Sequence, residues 1–120
     1  MVRVLVIDDE PDTVLTLLAL LRLEGFDATG YASAREALKT LQDIDPDVVV
    51  CDLAMPVISG WDFAREVRRI MGLSRPMLIG ISGQYKRPAD EFISRAAGFD
   101  HYLTKPFDPG EILALVTPLK

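Results

Sequence analysis

Asp8, Asp9, Asp52, Ser82 and Lys105 share a setting. Each stands at or just past the end of a short apolar run, in VLVIDDEP, VVVCDLAMP, LIGIS and HYLTKPF. Three carboxylates with no histidine or thiolate beside them make a hard oxygen donor set, suited to Mg²⁺ or Mn²⁺. Mg²⁺ is normally held by one or two carboxylates and shares its remaining positions with water and a phosphoryl group. Gathering Asp8, Asp9 and Asp52 without a cation would raise the cost of ionising each of them, and a bound dication removes that penalty. Lys105 adds a positive charge that a phosphoryl oxygen can meet, and Ser82 adds a hydroxyl donor. A carboxylate can also attack phosphorus and form an aspartyl phosphate, with positioning and charge neutralisation carrying most of the catalysis.

These residues are far apart in the chain, so the elements between them must bring them together. Val2–Ile7 is an apolar run of strand length, rich in β-branched residues. Pro11 then stands at a helix-start position, and Asp12–Glu24 reads as a helix closed by Gly25. Phe26–Tyr31 reads as a short strand. Ser33 and Glu36 have capping-box spacing for a helix over Ala34–Leu41. Val48–Cys51 is a second wholly apolar strand that ends at Asp52. A loop holding Pro56, Ser59 and Gly60 leads to a helix over Trp61–Ile70, with Gly72 as its stop. PMLIGIS is another apolar strand, ending at Ser82. A fourth helix is expected over Ala89–Ala97, with Gly98 at its end. HYLTKPF is a short fifth strand, and Asp108, Pro109 and Glu111 start a fifth helix limited by Pro118.

Five β–α units with strands apolar on both faces predict a parallel sheet covered on both sides, a doubly wound α/β sandwich. In such a sheet the carboxyl ends of all strands lie along one edge, where sites form. Asp8, Asp9, Asp52, Ser82 and Lys105 therefore converge there with no further tertiary assumption.

The bulk properties agree. The chain of 120 residues fits one domain, and its net charge of −5 speaks against general binding of nucleic acid or an anionic membrane. The single cysteine, Cys51, excludes an internal disulfide and suits a reducing compartment. No apolar stretch approaches a bilayer span and no signal-peptide pattern opens the chain, so a cytoplasmic location is expected.

VLVIDDEP, VVVCDLAMPVISGWD, LIGISG and HYLTKPF together resemble the receiver domains of two-component response regulators, in order, in spacing and over the whole chain. The resemblance implies a flavodoxin-like (βα)5 fold with strand order 2-1-3-4-5 and a single receiver domain over residues 1–120. It makes Asp52 the phosphoacceptor, with Asp9 ligating Mg²⁺ directly, Asp8 acting through water and the backbone carbonyl of Ala54 completing the protein ligands. Lys105 would contact the phosphoryl group, and the Lys105–Pro106 bond would be cis. Ser82, where threonine is commoner, would bind a phosphoryl oxygen and Tyr102 would turn inward with it. In the family, the positions of Ala54 and Gln84 tune how fast the aspartyl phosphate hydrolyses.

The implied partner is a histidine kinase or histidine phosphotransfer domain, and the implied role is phosphorelay signalling. Such a domain catalyses its own phosphorylation and dephosphorylation without being an enzyme in the usual sense. The resemblance also offers a homodimer through the face of helix 4, strand 5 and helix 5. AGFDHYLTKPF resembles receivers attached to hybrid histidine kinases.

Other residues have blander readings. Cys51 belongs to an apolar run and reads as a small buried hydrophobe. His101, the lone histidine, reads as a half-exposed strand residue rather than a phosphoryl donor. On its own, Tyr102 would be half-buried packing. Val14, Leu17, Leu18 and Leu21 form the core stripe of the first helix. Leu15, Leu20 and Leu23 extend its apolar surface beyond that stripe, either as a wide buried face or as a docking surface for the kinase's helical bundle.

Three rival classes fit these residues less well. A phosphorylation-independent binding module of the same fold would typically lose the acidic pair or the lysine, and this chain keeps them. An aspartyl-phosphate phosphohydrolase usually carries a second acid where Ala54 stands. A flavin carrier would not lead its first strand into acidic residues, which repel phosphate.

Overall fold

In the structure, a computed structural model, residues 1–55, 57–83 and 98–120 are described. Five parallel strands form one sheet: β1 (Arg3–Ile7), β2 (Asp27–Tyr31), β3 (Val48–Asp52), β4 (Met77–Ser82) and β5 (His101–Thr104), in the order β2-β1-β3-β4-β5. Four helices are described: α1 (Pro11–Leu23), α2 (Ala34–Ile44), α3 (Gly60–Met71) and α4 (Pro109–Val116), the last continued by a 3₁₀ turn over Thr117–Leu119. The helix expected over Ala89–Ala97 lies outside the described residues, as do Gln84 and most of the loop around it.

Alternation along the strands builds two cores. Leu5, Ile7, Val49 and Cys51 meet Ala37 and Leu41 of α2 and Phe63 and Val67 of α3 on one face. Val4, Val6, Val48 and Val50 meet Val14, Leu17, Leu18 and Leu21 of α1 and Ile112 and Val116 of α4 on the other. Because both faces are covered, β3 is buried along its whole length.

Local chemistry sets the helix ends. Pro11 opens α1, where the missing N–H costs nothing. Ser33 accepts from the Glu36 N–H to cap α2, which runs past Leu41 to Ile44. No glycine follows α2, and Asp45 instead takes the left-handed conformation at its end (φ 48°). Ser59 caps α3 by accepting from the Asp62 N–H, and Gly72 closes it at φ +97°. Asp108 and Glu111 form a full capping box on α4, and Pro118 falls inside the 3₁₀ turn.

Val14, Leu17, Leu18 and Leu21 are buried as expected. Beyond them Leu20 is half-buried, while Leu15 and Leu23 are 64% and 82% exposed. The wide-core reading therefore fails for Leu15 and Leu23, which leave apolar surface on the outer side of α1.

Candidate functional site

The carboxyl ends of β1, β3, β4 and β5 bring the predicted residues to one edge. Asp8 follows β1 directly; its N–H donates to the Tyr31 carbonyl at 3.2 Å, which extends the β1–β2 ladder into the site. Its carboxylate is almost fully buried, and Oδ1 accepts from the Glu10 N–H at 2.9 Å. Asp9 points into solvent beside it. Asp52 is the last residue of β3 and is 5% exposed, with Oδ1 held by the Ala54 N–H at 3.0 Å. Ala54 itself is exposed.

Lys105 closes the cluster. Its backbone N–H donates to the Ser82 carbonyl at 2.8 Å, so the end of β4 fixes where its side chain starts. Nζ then lies 3.4 Å from Asp8 Oδ2 and 3.3 Å from Asp52 Oδ2. The Lys105–Pro106 bond is cis, and so is Arg75–Pro76, which carried no sequence signal. Ser82 is buried at the end of β4, and its hydroxyl donates to the Gly83 carbonyl at 3.3 Å. Tyr102 is half-buried in β5 with its hydroxyl oxygen out of solvent, and its ring packs on the α2–α3 core.

The electrostatics follow from burial and like charge. Burial pushes the Asp8 carboxyl up to about 6, and the Asp52 charge adds to that; the Glu10 N–H and Lys105 pull the other way. Lys105 shows the opposite balance. Burial disfavours its charge, but Asp52 and Asp8 outweigh this and hold its ammonium above the ordinary lysine range. Cys51, sealed beneath Asp52, is driven well above the ordinary thiol range by burial and then by the two aspartates, which keeps it a protonated core residue.

Asp8, Asp9 and Asp52 each offer a carboxylate oxygen, and those oxygens lie within 4.8 Å of one another. This set fits a hard divalent cation: it is all oxygen, carries surplus negative charge, and includes a buried carboxylate whose ionisation is costly without a cation.

Two contributors escaped the sequence reading. Gly60 opens α3 directly beneath the site, and a Cβ there would stand 2.5 Å from the Asp52 carbonyl oxygen and 2.6 Å from Leu53 Cα. Its N–H donates to the Leu53 carbonyl at 3.1 Å, so the loop after Asp52 folds tightly onto the helix start. Gly60 was visible in the sequence as a residue of the loop before the third helix, but its closeness to Asp52 was not. Arg68 is the second. It is buried and donates to the Gly98 carbonyl at 2.8 Å, the Pro76 carbonyl at 2.8 Å and Asp100 at 2.9 Å, tying α3 to the approaches of β4 and β5. Nothing in the charge pattern of AREVRRIM separates it from the solvated arginines of the same helix, Arg65 and Arg69.

Known proteins resemble this chain in sequence and in fold. DNA-binding response regulator MtrA of Mycolicibacterium smegmatis is 34% identical over 114 residues, which cover 95% of this chain and 48% of that protein. A 14.6 kDa protein of Leptolyngbya boryana is 37% identical over 113 residues, 94% of this chain and 86% of its own length. The chain thus spans about half the length of the mycobacterial regulators it matches. Among solved structures, chemotaxis protein CheY4 of Vibrio cholerae superposes with a TM-score of 0.90, at 27% identity, over 100% of this chain and 99% of that one. Residues 4–117 match the response regulator receiver domain, and with the acidic cluster, the lysine and the 2-1-3-4-5 sheet in place, the chain belongs to that family.

Proposed function

We propose that Asp52 accepts a phosphoryl group from a phosphohistidine and that Asp8, Asp9, Ser82 and Lys105 serve that transfer. The observation that carries this reading is the Lys105 ammonium between the buried carboxylates of Asp8 and Asp52, at 3.4 and 3.3 Å, beside an acidic trio that fits a divalent cation. A carboxylate oxygen of Asp52 bonds to phosphorus as the phosphorus–nitrogen bond to the donor imidazole breaks, and the imidazole leaves with that electron pair. The Ala54 N–H holds the Asp52 carboxylate in one rotation, which limits the orientational freedom lost on attack. Lys105 stands ready to meet a phosphoryl oxygen, and the Ser82 hydroxyl, now donating to the Gly83 carbonyl, would turn to do the same.

Asp9 and Asp52, the Ala54 carbonyl, and Asp8 through water are the groups that would hold Mg²⁺. When bound, the ion supplies positive charge against the carboxylates and the phosphoryl oxygens. Occupied Ser82 and an inward Tyr102 would then change the surface around β5, which is how the domain would signal. By this reading the domain promotes its own phosphorylation and dephosphorylation, and residues 1–120 act as one receiver, alone or within a longer regulator.

The proposed donor is the histidine-bearing domain of a kinase or phosphotransfer protein. Glu10 and Thr13 of the α1 entry, with Lys105, Pro106 and Phe107, line a cleft that opens beside Lys105, and exposed Leu15 lies further along α1. We also propose a homodimer through the face of the fourth helix expected over Ala89–Ala97, β5 and α4. Among the described residues no helix is long and apolar enough to cross a membrane. The net negative charge favours a protein partner over nucleic acid for this segment.

The test is incubation with acetyl phosphate and Mg²⁺ followed by intact mass, for wild type and Asp52→Ala. A Mg²⁺-dependent phosphoryl adduct on wild type alone is expected. No adduct on wild type, together with no binding of beryllofluoride, would leave the binding-module reading in its place.

A further inference from the structure

We infer that Phe99 is a positioning residue that couples the loop after Asp52 to Tyr102 through a gap in the sheet left by Gly80. The inference rests on Asp52 being the phosphoacceptor. Across the sheet, Tyr31, Ile7, Cys51, Gly80 and Tyr102 stand in register on neighbouring strands. In parallel strands, paired residues point to the same face, and the side chains of this row belong to the α2–α3 core. Gly80 alone contributes no side chain to it.

Phe99, which is buried just ahead of β5, fills that gap. A Cβ on Gly80 would lie 3.1 Å from Phe99 Cδ1 and 3.3 Å from Leu53 Cδ2, so Phe99 and Leu53 meet over the same backbone. Leu53 is the immediate neighbour of Asp52. Its N–H donates to the Ile81 carbonyl at 2.9 Å and its carbonyl accepts from Gly60. Trp61, next to Gly60, also meets Phe99 edge to face, with ring centroids 6.2 Å apart and planes at 87°.

Phe99 is thereby held by two groups anchored to the Asp52 loop, Leu53 directly and Trp61 through Gly60. It shares a packed core with Tyr102, whose strand partner is the glycine it covers. A close-packed core transmits a small displacement rather than absorbing it. A shift of Leu53 on phosphorylation therefore reaches β5 through Phe99, beneath the sheet edge where Ser82 acts.

The experiment uses beryllofluoride with Mg²⁺ on the full chain and follows backbone amide chemical shifts. In wild type, shifts are expected at Asp52–Ala54 and at His101–Thr104. In Phe99→Ala, the Asp52–Ala54 response should persist while the Tyr102 response falls at least threefold. The acetyl phosphate adduct should still form within about twofold of the wild-type rate, as a decoupled site requires. Phe99→Leu, which refills part of the gap, should restore about half of the Tyr102 response, and it replaces Phe99→Ala if that variant does not fold. A Tyr102 response of wild-type size in Phe99→Ala, or in Phe99→Leu where that variant replaces it, overturns the coupling and leaves the phosphoacceptor reading intact. A wild type that shows no response at Asp52–Ala54 overturns both.

Discussion

Asp8→Asn should make this domain more stable at neutral pH in the absence of Mg²⁺, although it removes an ion-pair partner of Lys105. The carboxyl of Asp8 sits at about 6 in the folded chain against an ordinary 3.8, because burial and the Asp52 charge outweigh Lys105 and the Glu10 N–H. The folded state therefore holds a proton that the unfolded chain has already lost across the window from pH 4 to 6. Stability falls as pH rises through that window and stays low above it. The gap corresponds to about 3 kcal/mol at pH 7.5 and shrinks to about 0.5 kcal/mol at pH 4. Asparagine has nothing to ionise and keeps an oxygen for the Glu10 N–H. The variant should gain up to that amount, about 10 °C in Tm for a domain of this size. Thermal and urea unfolding at pH 7.5 and pH 4, with EDTA and then with Mg²⁺, would measure it. Mg²⁺ should raise the wild-type Tm and move the variant much less. A variant no more stable than wild type at pH 7.5, or a difference that does not narrow toward pH 4, would refute the reasoning.

Three further outcomes are expected. Gly60→Ala would press a methyl group against backbone, 2.5 Å from the Asp52 carbonyl oxygen; it should cost about 1–3 kcal/mol in urea unfolding and slow adduct formation from acetyl phosphate. Arg68→Met should lose about 2–3 kcal/mol, because the Pro76 and Gly98 carbonyls it now satisfies would be left without their donor, whereas Arg65→Met on the exposed face should fall within about 0.5 kcal/mol of wild type. Val57→Gly should stabilise by about 1 kcal/mol, because a β-branched residue that is 86% exposed holds a left-handed backbone at φ 71° with little packing in return; a loss of stability in chemical unfolding would show that Val57 makes contacts that repay the strain.

Much of the molecule could be read in one dimension. Alternating apolar runs and amphipathic stretches give strands and helices because burial on both faces demands wholly apolar strands. Once the sheet is parallel, Asp8, Asp52, Ser82 and Lys105 must share an edge. Caps such as Ser33 and Asp108 were equally legible, because a cap is satisfied by a backbone N–H two or three residues away. The strand order came through the family resemblance and not from periodicity, since apolar runs of similar composition do not say which pairs with which.

Tertiary structure alone decided the rest. That Leu15 and Leu23 lie outside the core while Leu20 is half-buried depends on how α1 rolls on the sheet, which the leucine spacing leaves open. Arg68 differs from Arg65 and Arg69 only in what faces it across the fold: carbonyls contributed by residues 8 and 30 positions away. The rise at Asp8 is likewise set by burial and by a charge from another strand. The meeting of Gly80, Phe99 and Leu53 joins three separate stretches of chain, and its cause is a missing side chain, which leaves no pattern in the sequence. Sequence determines what one residue asks of its near neighbours, and packing between distant segments determines which of those demands the site can use.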